Sequence, residues 1–168
     1  MLQLYLLRHA KAEAASPTGR DHDRRLAASG QDDAQRMGVY LERHAIRADR
    51  TVLSTAARVQ ETWAAIAPAL SHPPATISEP RLFNASVMDI LDVIRAQSDK
   101  TQSLMLVGHN PSMEDLALAL CAKGDRESLD RLHAGFPTAA LATIIFSEKL
   151  SDLSREHGFL ESFPQPGA

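Results

Sequence analysis

The chain has 168 residues, of which 44% are hydrophobic and 23% are charged, and this composition is typical of a soluble globular protein. The net charge of −3 gives no reason to expect nucleic acid or an anionic membrane surface as a partner. The single cysteine, Cys121, excludes an internal disulfide framework and a multi-cysteine zinc site, and it fits a reducing compartment.

Length and composition predict one domain over residues 1–168, with residues 163–168 as a frayed tail. No stretch approaches the ~20 consecutive apolar residues of a membrane-spanning helix, and the first apolar run lacks the basic leader of a signal peptide. We therefore expect a cytoplasmic protein without a membrane partner. The sequence does not indicate an oligomeric state.

Strands alternate with helices in the N-terminal half. Residues 2–7 form an almost continuous apolar run, as in strands that are buried on both faces of a parallel sheet. Apolar residues at helical spacing predict a helix over 29–45, a short strand at 51–54 follows, and a second helical face covers 59–70 before the breaker HPP. These elements make two successive strand-loop-helix units.

The C-terminal half continues the alternation. A short strand is predicted at 76–78, and Ser86 and Asp89 have the spacing of a capping box before a helical face at 87–94. Residues 103–107 are a second buried strand before a helical face at 113–120, and two further strands are predicted at 139–146 and 159–163. The pattern predicts an α/β fold, a three-layer α/β/α domain with a mostly parallel sheet and an antiparallel edge made by the last strand pair.

Cationic residues interrupt this pattern where strands give way to helices. Arg8 and His9 end the first strand, at the carboxyl edge where open α/β sheets bind ligands. Arg58 falls in the first turn of a helix that Thr55 could cap, and a cation there opposes the helix dipole unless an anion offsets it. Both positions therefore favour a bound anion.

A third interruption lies in VGHNP. His109 directly follows the second buried strand, and Asn110 and Pro111 are predicted as the cap and first residue of the next helix. If the strands pack side by side in a parallel sheet, two guanidinium groups and two imidazoles converge on one small volume. A phosphoryl group that accepts forked arginine donors would resolve the repulsion within such a cluster.

These residues carry a resemblance to a known family. LYLLRHA resembles the Arg-His motif that opens the histidine phosphatase superfamily, which includes the phosphoglycerate mutases, and DRRLAASG, LSTAARVQET, LFNAS, LVGHNPSMEDLA and FPTAAL resemble successive blocks of its SixA-type phosphohistidine phosphatases. The blocks span most of the chain in the family's order. The chain departs from the family's usual residues at Ala10, where Gly is common, at Arg25, where Pro is frequent, and at Ala27, where Thr is frequent.

The resemblance implies a phosphoglycerate mutase-like fold and a role for each site residue. His9 would be the nucleophile, Arg8 and Arg58 would hold the phosphoryl oxygens, His109 would complete the pocket, and Arg24 is a further phosphate-binding candidate. Phosphoryl transfer requires an in-line nucleophile and compensation of the charge on the equatorial oxygens, which arginine and imidazole can supply. We therefore expect no metal and no cofactor.

The sequence offers no clear general acid. Larger members of the superfamily carry an acidic residue on an inserted segment, but the corresponding stretch here centres on Asn84. Glu79 and Asp89 are the nearest carboxylates, and Asp89 already belongs to the capping box, so Glu79 is retained as the candidate acid. A missing acid favours a phosphorus–nitrogen bond as the bond that is broken.

The predicted function is therefore a phosphatase with a phosphohistidine intermediate, acting on phosphohistidine of a phosphotransfer protein in signal transduction. Two alternatives remain open at this point. One is a phosphatase of a small phosphomonoester with the same core, and the other is a phosphate-binding module without catalytic activity.

Overall fold

The computed structural model describes residues 1–98 and 100–166. Within these residues it contains seven strands and five α-helices. The strands are β1 (Leu2–Arg8), β2 (Arg50–Leu53), β3 (Ala75–Ser78), β4 (Ser103–Gly108), β5 (Cys121–Gly124), β6 (Leu141–Phe146) and β7 (Gly158–Ser162). The helices are α1 (Ala28–Arg43), α2 (Ala57–Ile66), α3 (Val87–Arg95), α4 (Ser112–Leu120) and α5 (Arg126–His133).

The strands form one mixed sheet in the order β3-β2-β4-β1-β6-β7-β5. The pairs β1/β4, β2/β4, β2/β3 and β5/β7 are parallel, whereas β6 runs antiparallel to both β1 and β7. The predicted α/β fold with a mostly parallel sheet is therefore confirmed. The last predicted strand pair is antiparallel but does not form the edge, because β5 pairs with the outer side of β7.

The two faces of the sheet carry separate cores, as the predicted three-layer arrangement requires. Successive side chains of a strand point to opposite faces, so Leu4 and Leu6 of β1 pack with α3, α4 and α5, while Tyr5 and Leu7 pack with α1 and α2. Neither face of the central strands is open to water, which explains their continuous apolar sequence.

Helix boundaries differ from the predictions at the two caps assigned near the sheet edge. Thr55 does not cap α2, whose N-cap is Ala56, because the Thr55 hydroxyl lies 3.0 Å from Nε2 of His22. Asn110 does not cap α4, which begins two residues later at Ser112. The capping box of Ser86 and Asp89 is confirmed, with both reciprocal hydrogen bonds present.

The C-terminal segment is more ordered than the predicted tail over 163–168. Phe163 is fully buried and packs edge-on against Phe136, with ring centroids 4.8 Å apart, and the Pro164 carbonyl accepts a hydrogen bond from Leu141. The predicted boundary at residue 163 is therefore wrong, because the aromatic ring of Phe163 belongs to the core. Residues 167 and 168 lie outside the described part of the chain. No helix among the described residues is long and apolar enough to cross a membrane.

The carboxyl ends of β1, β2 and β4 meet at one edge of the sheet. His9 follows β1 and its backbone N–H donates to the Gly108 carbonyl, while the Ser54 N–H donates to the Val107 carbonyl. The chain after His9 packs closely on α1, where the Lys11 carbonyl accepts from the Ala27 N–H. Backbone contacts thus fix the positions from which the site side chains project.

Candidate active site

A cleft of about 680 Å³ lies at this edge of the sheet. It contains the residues predicted to act in catalysis and phosphate binding, together with several that the sequence did not single out. The lining residues are Arg8, His9, Lys11, Ala12, Asp21, Arg24, Arg58, Asn84, Ala85, His109, Asn110, Pro111, Ser112 and Thr138.

His9 presents Nε2 to this cleft, where its lone pair accepts a hydrogen bond from Arg58 Nε at 3.3 Å. Its Nδ1 lies 2.7 Å from the Ala10 carbonyl oxygen, which can only accept, so Nδ1 carries the proton and Nε2 does not. Burial, together with the charges of Arg58 and Arg8 and against the opposing effect of the Ala10 carbonyl, lowers the pKa of His9 from 6.5 to about 4. The imidazole is therefore neutral at pH 7 and its Nε2 can act as a nucleophile.

Arg58 connects this imidazole to the loop before α1. Its Nε lies 3.3 Å from His9 Nε2, its Nη1 donates to the Asp21 carbonyl at 2.8 Å, and its Nη2 donates to an Asp21 carboxylate oxygen at 3.0 Å. The position of Arg58 in the first turn of α2, as predicted, points its guanidinium group towards β1. The face of the Phe83 ring lies 5.9 Å from the guanidinium carbon.

Arg8 and Arg24 enter the cleft from two other sides. Arg8 Nη1 donates to the Phe136 carbonyl at 2.7 Å, and its buried Nε has no hydrogen-bond partner. Burial lowers the pKa of Arg8, and the charge of Glu114 partly opposes this shift. Arg24 Nε donates to the Glu13 carbonyl at 2.7 Å. Each guanidinium group thus keeps donors that can reach a bound anion.

His109 lies against His9, with ring centroids 5.2 Å apart and the rings inclined at 61°. Its Nε2 is 2.8 Å from the Ser54 hydroxyl, and its Nδ1 is buried without a partner. Burial, together with the neighbouring His9 and Arg58, lowers the pKa of His109 to about 3. Two neutral imidazoles can therefore lie side by side among cations without adding to the positive charge.

Glu79, the candidate acid, does not lie with these residues. It is absent from the cleft lining, and its carboxylate accepts two hydrogen bonds from the side chain of Arg81, which lowers the pKa of Glu79. Asn84 lines the cleft in its place, in the left-handed backbone region with φ of 54°. Glu79 is therefore not supported as the proton donor, because its carboxylate does not line the cleft and its lowered pKa favours the ionised form.

Several functional candidates escaped the sequence analysis because their contacts are not local. Asp21 and Ser54 contact residues 37 and 55 positions away in the chain. Glu114 accepts from the Asn110 side chain at 2.8 Å and from the Phe136 backbone at 3.2 Å, and so ties α4 to the carbonyl that holds Arg8. The proximity of Asp21 to Arg24 in the sequence was the one available signal.

No group of three or more His, Cys, Asp and Glu side chains forms a possible metal site within residues 1–98 and 100–166. The positive charges that line the cleft come from guanidinium and ammonium groups, which bind anions.

Comparisons with known proteins agree with this geometry. An uncharacterised protein of Mycobacterium leprae (strain TN) is 31% identical over 170 residues, which cover 95% of this chain and 99% of the relative. A protein of Nakamurella multipartitia provisionally assigned as the phosphohistidine phosphatase SixA has a solved structure with a TM-score of 0.84 at 28% identity, covering 99% of this chain and 97% of that one. An Agrobacterium tumefaciens protein with the same provisional assignment has a TM-score of 0.80 at 34% identity, covering 98% and 99% of the two chains.

These structural matches confirm the predicted phosphoglycerate mutase-like fold and the likeness to SixA. The profile of the histidine phosphatase superfamily, branch 1, matches residues 4–89, which contain β1, α1, β2 and α2 and with them Arg8, His9 and Arg58. More than half of the chain is thus matched in the order that the family requires. The chain therefore belongs to branch 1 of the histidine phosphatase superfamily.

Proposed function

We propose that this protein is a metal-independent phosphatase that removes the phosphoryl group from phosphohistidine of another protein through a covalent intermediate on His9. The observation that carries this proposal is the 2.7 Å contact between His9 Nδ1 and the Ala10 carbonyl oxygen. The Ala10 carbonyl holds the proton on Nδ1, so the Nε2 lone pair lies among Arg8, Arg24, Arg58 and His109.

The first step forms the intermediate. The oxygens of the substrate's phosphoryl group accept hydrogen bonds from the guanidinium groups, and His9 Nε2 attacks phosphorus in line with the phosphorus–nitrogen bond of the substrate. A new phosphorus–nitrogen bond forms on His9 as the old one breaks. The substrate reacts in its imidazolium form, with a proton on the nitrogen that does not carry the phosphoryl group, so its imidazole leaves with the electron pair as a neutral group.

The second step is hydrolysis. In phosphorylated His9 both nitrogens are substituted, and the Ala10 carbonyl 2.7 Å from Nδ1 stabilises the resulting imidazolium charge. Water attacks phosphorus, the bond to Nε2 breaks, and both protons of the water stay on the product, which is released as dihydrogen phosphate. His9 then returns to its neutral form with the proton still on Nδ1, and no proton has to cross the cleft.

The cleft carries little capacity for acid catalysis. Asp21 is the carboxylate among its lining residues, and hydrogen bonds from Arg24 and Arg58 lower the pKa of Asp21 and keep it ionised. An alkyl phosphate would release an alkoxide, which needs a proton in the transition state. A phosphohistidine releases an imidazole without this help. This difference supports phosphohistidine over an ordinary phosphomonoester, and the provisional assignment of the two solved relatives supports the same substrate class.

Labelling tests the proposed intermediate. We expect a labelled phosphoryl donor to leave acid-labile, base-stable label on the peptide that contains His9, and the His9→Ala variant to remain unlabelled. His72→Ala changes an exposed imidazole and is expected to label normally. Label on Cys121 or on a carboxylate would contradict the mechanism. Phosphate binding without any label would instead indicate a phosphate-binding module.

The substrate class needs a separate measurement. We expect kcat/KM to be higher on a histidine-phosphorylated phosphotransfer domain than on any member of a panel of sugar and nucleotide phosphates. A metabolite preferred by tenfold or more would overturn the substrate and leave the His9 mechanism standing. Turnover is expected to continue in the presence of a chelator, since the three arginines compensate the phosphoryl charge. Loss of turnover with EDTA and its recovery with a divalent cation would refute metal independence.

A further inference from the structure

The loop before α1 places a carboxylate inside the cleft. Asp21 begins a short 3-10 turn, Asp21–Asp23, and its side chain lies between two cleft arginines. One carboxylate oxygen accepts from Arg58 Nη2 at 3.0 Å, and the other accepts from Arg24 Nη1 at 2.9 Å. The lining residues include four cations and this one carboxylate. The two carboxylate oxygens of Asp21 therefore contact these arginines as two oxygens of a phosphoryl group would.

The arginines do not depend on this carboxylate for their positions. Each of the three is held by a main-chain carbonyl: Arg8 by Phe136 at 2.7 Å, Arg24 by Glu13 at 2.7 Å, and Arg58 by Asp21 at 2.8 Å. A carbonyl orients a guanidinium group without neutralising its charge. The contact between the Asp21 carboxylate and Arg58 can thus be replaced by an anion, whereas the contact between the Asp21 carbonyl and Arg58 is kept.

The solvent exposure of the Arg58 and Asp21 side chains indicates which of the two can move. The side chain of Arg58 is 7% exposed, whereas that of Asp21 is 54% exposed. Rotation of the Asp21 side chain would return its carboxylate to water, where it is well solvated. Moving Arg58 would break its contacts with His9 and with the Asp21 backbone. An anion that enters the cleft therefore displaces the Asp21 carboxylate, and Arg58 stays in place.

We infer that the Asp21 carboxylate occupies the place of a phosphoryl group between Arg24 and Arg58 in the free protein and leaves both arginines when phosphate or substrate binds. The identity of the displacing group rests on the proposed function. The consequence is that Asp21 weakens the affinity of the cleft for inorganic phosphate. Because the product of the reaction is phosphate, Asp21 sets how readily the product leaves.

Calorimetric titration with inorganic phosphate tests this inference on the protein as it exists. The Asp21→Asn variant keeps the shape of the side chain and removes its charge, and we expect its Kd for phosphate to fall on the order of tenfold, as expected for one partly screened charge. Asp23→Asn is the matched control, because Asp23 lies in the same turn but bonds to Thr18, Arg20 and His22 instead of the cleft arginines. Its Kd is expected to stay within twofold of the wild type.

Steady-state kinetics separate this role from simple positioning. With a phosphorylated substrate, Asp21→Asn is expected to lower KM and to strengthen product inhibition by phosphate, and Asp21→Ala is expected to do the same. Higher KM and weaker phosphate binding in both variants would overturn the inference, as would an equal change in Asp23→Asn. If His9 is labelled but Asp21→Asn does not bind phosphate more tightly, the role of Asp21 is refuted and the proposed function stands. If Asp21→Asn binds phosphate more tightly but His9 is not labelled, the proposed function is refuted and the role of Asp21 stands.

Discussion

Acidification should destabilise this protein through the two imidazoles of the cleft. His9 and His109 are 9% and 7% exposed, and burial lowers the pKa of His9 to about 4 and that of His109 to about 3. In the unfolded chain both have a pKa near 6.5. Between these values the unfolded state binds protons that the folded state does not, so the free energy of unfolding falls as the pH is lowered.

The size of the effect follows from the two shifts. When the pH is lowered from 8 to 5, each imidazole removes about 2 kcal/mol from the free energy of unfolding, and together they remove about 4 kcal/mol. The free energy of unfolding of a globular domain is only about 5–15 kcal/mol, so a loss of this size is a large part of the total. The fall starts near pH 6.5, above the range in which carboxyl groups titrate, so the imidazoles can be observed separately from them.

Urea unfolding at pH 5, 6, 7 and 8 measures this dependence. The chain has one tryptophan, and Trp63 is a buried residue of α2 that packs in the core, so its fluorescence reports global unfolding. The His9→Asn/His109→Asn double variant is expected to lose most of the slope between pH 5 and 6.5. His72→Asn, which alters an exposed imidazole, is expected to retain it. A wild-type protein that is equally stable at pH 5 and 8, or a double variant with the full slope, would refute the reasoning.

Three further perturbations have defined outcomes. Arg58→Ala should lower kcat/KM by about 10²–10³, the loss expected when one preorganised transition-state donor is removed. Arg25→Ala, which changes an exposed arginine paired with a glutamate, should alter kcat/KM less than twofold. A change confined to KM would assign Arg58 to binding alone. Gly30→Ala would place a Cβ 2.0 Å from the Lys11 carbonyl oxygen. We therefore expect the free energy of unfolding, measured in urea, to fall by about 1–3 kcal/mol. An unchanged urea midpoint would refute the close packing of the Lys11 segment on α1. Ser86→Ala should cost about 1 kcal/mol by the same assay, since it removes the cap of α3.

The sequence predicted the centre of the site because that part depends on local pattern. Buried parallel strands read as apolar runs, and their carboxyl ends meet at one edge of the sheet. His9 and His109 directly follow two such strands, and Arg58 lies in the first turn of the helix after a third. These positions follow from strand ends alone, so their convergence could be predicted without knowledge of side-chain contacts.

The remainder depends on contacts between distant parts of the chain. Strand β5 has four residues, two of them exposed, and its partner is β7, near the C-terminus, so no periodicity marks it in the sequence. Helix α5 after it is short and polar, and the sequence analysis missed both elements. Asp21 reaches Arg58 across 37 positions, from a loop without regular spacing. Local patterns contain no information about such pairs.

The anchoring of the arginines explains why this cleft suits a dianionic group. A guanidinium group held by a carboxylate would be positioned but largely neutralised, whereas one held by a carbonyl keeps its charge. Arg8, Arg24 and Arg58 all have carbonyl anchors, and burial, together with the positive field of these arginines, keeps His9 unprotonated. The ready nucleophile and the loss of stability below pH 6.5 therefore have one cause. A variant that raises the pKa of His9 by exposing it to water should lose less stability between pH 8 and pH 5 and should form the intermediate more slowly at pH 5.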